Sequence, residues 1–133
     1  MKVTSALLAA QAMARITNLS PDDVFGALQG SACVVVDIRE KDEVTATGTI
    51  PGAIHIPRGV LEFSVDPGSP TYLARFTQDS HVILVCDTGQ RSALATETLT
   101  SLGFSHVAHL RGGLRAWMQQ GLPIAKISGE TAI

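Results

Sequence analysis

The run His81-Val82-Ile83-Leu84-Val85 carries one cysteine, Cys86, into the turn Asp87-Thr88-Gly89-Gln90-Arg91-Ser92. Successive β-formers without polar alternation read as a strand buried on both faces, hence a parallel sheet covered by helices on both sides. Ala93, Leu94, Ala95, Leu99 and Leu102 then recur at helical spacing, and Gly103 follows as a stop. Cys86 therefore stands where a strand ends and a helix begins, at the carboxyl edge of an α/β sheet. Open α/β folds bind their ligands at that edge. Backbone N–H groups of such a turn, with the helix dipole behind them, favour an anionic sulfur over a neutral thiol. Cys86 is thus a candidate nucleophile near neutral pH. The competing reading is a buried structural cysteine closing a strand, because free cysteine is among the most buried residue types.

The rest of the chain alternates strands and helices. A short strand is expected over Ile16 to Leu19. Ser20-Pro21-Asp22-Asp23 then opens a helix with a cap, a proline at the first helical position and acid in the first turn, and Gly30 ends it. Cys33 to Ile38 is a second buried strand. Gly48 to Ile56 is a loop leading into a short strand, Arg58 to Pro70 is irregular, and Thr71 to Phe76 is a short helix. The last strand is His106 to Leu110, and the last helix runs from Leu114 to Gln120. The expected organisation is an N-terminal helix over 1–15, an α/β domain over 16–123 and a mobile tail over 124–133.

At the N-terminus, Ala6-Leu7-Leu8-Ala9-Ala10 followed by Ala12-Met13-Ala14 is a weak match to a secretory signal, and Gln11 breaks its apolar run. Ala6, Ala9, Ala10, Met13 and Ile16 fit a helical stripe instead. The expectation is a first helix in a cytoplasmic protein, with export as the alternative. A length of 133 residues suits one core. A net charge of −2 offers no general attraction to nucleic acid or an anionic membrane. Cys33 and Cys86 form no CxxC, and His55, His81, His106 and His109 lack ligand spacing with either. No metal or other cofactor is expected.

Four segments, in order, resemble the single-domain rhodaneses, or sulfurtransferases: Val36-Asp37-Ile38-Arg39-Glu40, Gly48-Thr49-Ile50-Pro51-Gly52-Ala53-Ile54-His55-Ile56-Pro57, Cys86 to Ser92, and Leu110-Arg111-Gly112-Gly113-Leu114-Arg115-Ala116-Trp117. The resemblance implies a rhodanese-like doubly wound α/β domain around a five-stranded, mostly parallel sheet. It implies that Cys86 carries a sulfane sulfur as a persulfide. The donor would be thiosulfate or another persulfide, and the acceptor cyanide, a small thiol or a protein thiol. The Cys-X4-Arg loop from Cys86 to Arg91 would cradle the sulfur with backbone N–H groups and need no general base.

Within this reading Gly89 takes a position needing unusual φ or close approach, and Thr88 and Gln90 complete the loop. Arg91 adds positive charge or pairs with a carboxylate such as Asp37. Ser92 caps the helix or bonds the sulfur, and Asp37 and Arg39 support the loop. Asp87 opposes an anionic sulfur and an anionic donor, and Arg58 is a candidate to reach the pocket and offset it. His55 reads as a packed, hydrogen-bonded histidine rather than an acid or base. Two other functions compete. Phosphatases and arsenate reductases related to rhodaneses use a longer Cys-X5-Arg loop, whereas position 92 here is serine. The other is a non-enzymatic sulfur carrier or regulatory binding domain, which the presence of Cys86 disfavours.

Overall fold

The computed structural model describes residues 2–30 and 32–126. Five strands, β1 (Thr17–Leu19), β2 (Cys33–Asp37), β3 (Ile54–His55), β4 (His81–Val85) and β5 (His106–Leu110), form one sheet in the order β1-β5-β4-β2-β3. Every strand pair is parallel. The apolar run of β4 lies at the centre, and its side chains divide between two cores as the pleat requires. Val82 and Leu84 face α4 (Leu61–Val65) and α5 (Gln90–Ser101), whereas Ile83 and Val85 join Val24 of α2 (Pro21–Gly30) and Trp117 of α6 (Gly113–Gln119). The expected doubly wound α/β domain is what forms.

The first helix, α1 (Ser5–Met13), packs on α5 through Ala9 and Ala12, both buried, and Thr4 caps it by accepting the Leu7 N–H. Ala6 and Ala10 of the expected stripe are exposed. None of the described helices is long and apolar enough to cross a membrane.

Four local expectations are corrected. Lys41–Thr47 is a helix, α3, where none was expected. It carries only one buried apolar residue, Val44, so it shows no apolar period. Leu61–Val65 is helical within the stretch expected to be irregular, with Leu61 and Val65 buried against the sheet. Residues 71–76, expected as a helix, are turns instead. There the Leu73 N–H bonds the Ser64 carbonyl at 2.8 Å, and Phe76 is fully buried and pins the segment to the core. Finally, Ile124 and Ala125, at the start of the expected tail, are held: Ile124 packs on the Trp117 core and Ala125 pairs with Thr49 through N–H···O bonds of 2.8 and 2.9 Å. Residues 127–133 of that tail lie outside the described residues.

At the carboxyl end of β2 a buried ion pair organises the next segment. The Arg39 guanidinium donates through Nε and Nη2 to the Asp37 carboxylate (2.7–3.1 Å), through Nη1 to Thr47 Oγ1 (2.8 Å), and through Nη2 to the Gly48 carbonyl (2.8 Å). Thr49 Oγ1 donates to Asp37 at 2.7 Å, and His55 Nε2–H donates to the Arg39 carbonyl at 2.7 Å. Both charges are essentially sealed from water, with side chains 0% and 2% exposed. Removing one partner of such a pair strands the other and costs about 3–5 kcal/mol. Asp37→Ala is therefore expected to lose stability of about that size in urea unfolding. A loss below about 1 kcal/mol, the range of an exposed pair, would contradict this account.

Candidate active site

Cys86 directly follows the central strand, with 1% of its surface exposed. The chain then turns in three residues into α5, and Gly89, at φ 98°, occupies the left-handed region as the residue before the first turn. That conformation suits glycine, and it aims the Gly89 N–H at Cys86 Sγ, 3.1 Å away. The Ser92 N–H, in the first turn of α5, reaches the same sulfur at 3.3 Å. Two backbone donors and the positive end of a helix thus converge on one atom. Ser92 Oγ lies 3.4 Å from the sulfur.

The outer side of the loop is held by α6. Leu114 N–H donates to the Cys86 carbonyl at 2.8 Å and Arg115 N–H to the Asp87 carbonyl at 3.0 Å. With these two carbonyls turned outward to α6, the Gly89 and Ser92 N–H groups face the sulfur. The approach is so close that a Cβ on Gly113, itself at φ 64°, would fall 2.3 Å from the Asp87 carbonyl oxygen.

Asp87 is half-buried and pairs with Arg115 at 3.0 Å, while Thr88 and Gln90 are exposed at the rim. Arg91 does not pair with Asp37. It makes a two-pronged bond to Glu43 of α3, Nη2 to Oε1 at 2.7 Å and Nη1 to Oε2 at 2.9 Å. Asp37 and Arg39 act on the loop only at one remove: they fasten α3, and α3 presents Glu43. Arg58 is not brought to the sulfur either. Its guanidinium bonds Glu62 at 2.8 Å and Thr98 Oγ1 at 3.4 Å, and Thr98 stands about 9 Å along α5 from Ser92 at the helical rise.

Three residues at the site had no assigned role in the sequence reading. Glu43 was discernible only as the acid three residues after Glu40, whose N–H its Oε2 accepts at 2.9 Å in capping-box fashion. His109 sits in an apolar strand and contacts Ser92, with His109 Nδ1 and Ser92 Oγ 2.9 Å apart. Asn18, beside it in register on β1, bonds its other ring nitrogen at 2.7 Å. The bond from Arg91 holds the Glu43 carboxyl down at about 2, and Glu43 in turn raises Arg91. Burial, aided by the Arg111 cation, pushes His109 down to about 4.

The family model for the Rhodanese-like domain matches residues 20–120. The human protein named thiosulfate:glutathione sulfurtransferase is 28% identical over 114 residues, covering 81% of this chain and 98% of that protein. A sulfurtransferase of Allochromatium vinosum is 34% identical over 96 residues, covering 72% of this chain and 81% of that protein. Among solved structures, a Rhodopseudomonas palustris protein of unknown function, described as a possible tyrosine phosphatase, superposes with a TM-score of 0.88. It is 35% identical and covers 94% of this chain and 96% of its own.

The Arg91–Glu43 bond makes stability depend on pH. The folded Glu43 titrates near 2 against an ordinary value of 4.5, so its contribution is present above about pH 4.5 and is lost as pH falls towards 2. Glu43→Gln is expected to unfold at lower urea than the parent protein at pH 6, with the gap narrowing steadily below pH 4.5. A gap independent of pH would show that the charge of Glu43 does not hold the loop.

Proposed function

This chain belongs to the rhodanese-like domain family, and we propose that it is a sulfurtransferase whose Cys86 carries the transferred sulfur. The observation that carries the reading is the pair of N–H groups, from Gly89 and Ser92, directed at the single buried Cys86 sulfur. In the forward half-reaction the Cys86 thiolate attacks the outer sulfur of thiosulfate. An S–S bond forms, the bond to the sulfonate sulfur breaks, and sulfite leaves with that electron pair. The product is a persulfide anion, stabilised by the same fixed dipoles that stabilise the thiolate. In the second half, cyanide or a thiolate attacks the terminal sulfur and the Cys86 thiolate is regenerated. No proton is transferred in either half, so a site without a general base suffices.

A phosphatase reading is favoured only by the description of the Rhodopseudomonas palustris neighbour. Against it stands the loop itself. A tetrahedral phosphoryl group presents three equatorial oxygens, whereas here the donors meet at one atom and the Arg91 guanidinium is occupied by Glu43. Thiocyanate formation from thiosulfate and cyanide is expected in the parent protein and in Cys33→Ser, and is expected to vanish in Cys86→Ser. Hydrolysis of an aryl phosphate is expected at background in all three. Aryl phosphate turnover without thiocyanate formation would replace this reading with the phosphatase one.

Asp87 bears on the choice of donor. Its carboxylate repels thiosulfate but is partly neutralised by Arg115, and both side chains are more than a third exposed. The charge effect is therefore modest and screened by salt. Asp87→Asn is expected to lower KM for thiosulfate at low ionic strength and Arg115→Ala to raise it. Each change should be on the order of twofold to fivefold, as an exposed charge worth at most about 1 kcal/mol implies. Both should converge on the parent value in high salt, with kcat changing less. Unchanged constants at low salt would remove Asp87 from the donor's approach.

A further inference from the structure

The geometry points to His109 as a positioning residue that holds the Ser92 hydroxyl turned away from the Cys86 sulfur, a role that rests on Cys86 being the nucleophile. Asn18 fixes the tautomer of the ring. Its Nδ2 group donates to two carbonyls, Met13 at 2.9 Å and Ile16 at 3.2 Å, so the atom it turns to His109 is the acceptor Oδ1. His109 Nε2, 2.7 Å from that oxygen, must therefore carry a hydrogen. The ring is neutral at ordinary pH because burial disfavours its cation, which leaves Nδ1 with a bare lone pair. That lone pair is fully buried and 2.9 Å from Ser92 Oγ.

A hydroxyl has one hydrogen to give. Given to His109, it is not available to the Gly89 carbonyl at 3.3 Å or to the sulfur at 3.4 Å. Ser92 Oγ then faces Cys86 as an acceptor, which suits the S–H form and leaves the thiolate with only its two backbone donors. For the hydroxyl to swing to a thiolate, His109 Nδ1 would have to lose its partner inside the core, at the cost of a buried unsatisfied acceptor. The chain Asn18–His109–Ser92, laid across β1, β5 and α5, thus tunes how readily Cys86 ionises. Without the His109 acceptor the hydroxyl would turn to the charged sulfur, the stronger acceptor.

The test reads ionisation and ring tautomer rather than sulfur transfer, in the full chain with Cys33→Ser so that one thiol reports. Long-range 1H–15N spectra of the parent protein are expected to show His109 as the neutral Nε2–H tautomer from pH 5 to 8. The pH midpoint of Cys86 alkylation by iodoacetamide is expected to fall in His109→Leu by about one unit, the size of one added bond to a charged group. His109→Asn places an acceptor oxygen near the Nδ1 position and should restore the parent midpoint. In a Ser92→Ala background, His109→Leu should have no effect. The other ionisable groups around the sulfur are common to all these variants: Asp87 and Arg91 on the loop, Glu43 behind Arg91, Arg115 behind Asp87, and Arg111 beside His109. Should His109→Leu not fold, Asn18→Ala frees Nε2 and lets the ring donate from Nδ1, which should lower the midpoint in the same direction. An Nδ1–H tautomer in the parent protein, an unmoved midpoint, or a shift that persists without the Ser92 hydroxyl would overturn the role. Failure of sulfur transfer with these shifts intact would instead overturn the reading of Cys86 as the sulfur carrier.

Discussion

The backbone of residues 86–92 must point two N–H groups, those of Gly89 and Ser92, inward at one sulfur while the Cys86 and Asp87 carbonyls point out. Gly89 does this by standing in the left-handed region at φ 98°, which brings its own N–H round to Cys86 and starts α5 at the next residue. The carbonyls that turn outward need partners, and the first turn of α6 supplies them at Leu114 and Arg115. That contact admits no side chain at position 113. The close approach of β4, α5 and α6 is therefore one constraint met by two glycines at separate places in the chain, and the rest of the domain holds those three elements in register.

A second tier of charge fixes the loop from the side. Asp37 and Arg39, sealed from water, tie α3 to the end of β2, and α3 delivers Glu43 to Arg91. The two ion pairs differ in weight. The buried one cannot be broken without stranding a charge, whereas the exposed Arg91–Glu43 pair, with both side chains more than a third accessible, contributes through its two-pronged geometry and is open to salt and acid. Arg91 on this account clamps the loop to α3, and the field at the sulfur comes from fixed backbone dipoles. That arrangement suits a reaction in which sulfur changes hands between anions, since each donor and acceptor must approach without being trapped by a free cation.

Much of this was legible in residue order. The apolar run, the cysteine, the glycine-containing turn and the helical period after Ser92 each have strong local signatures, and together they located the strand–helix junction and its cysteine. The short strands β1 and β3 were legible, but the short helices were not: α3 has one buried apolar residue, Val44, and so no period to detect. Residues 71–76 have the spacing of a helix in Tyr72, Leu73 and Phe76, but the Leu73 N–H is claimed by Ser64 and the segment folds as turns. Partners distant in sequence were equally hidden. Nothing in local pattern tells that Arg91 finds Glu43 rather than Asp37, or that His109 and Asn18 meet Ser92. These pairings follow from the strand order β1-β5-β4-β2-β3, which brings His109 beside Asn18 and Leu84 in the sheet.

The central claim is that Cys86, and not merely the fold around it, takes up the sulfur. Peptide mass spectrometry after brief treatment with thiosulfate, with sulfite measured in the same sample, tests it most directly. The account predicts a gain of one sulfur on the peptide containing Cys86, none on that containing Cys33, and sulfite released in equal amount. An unmodified Cys86 peptide, or sulfur found on Cys33 alone, would contradict it.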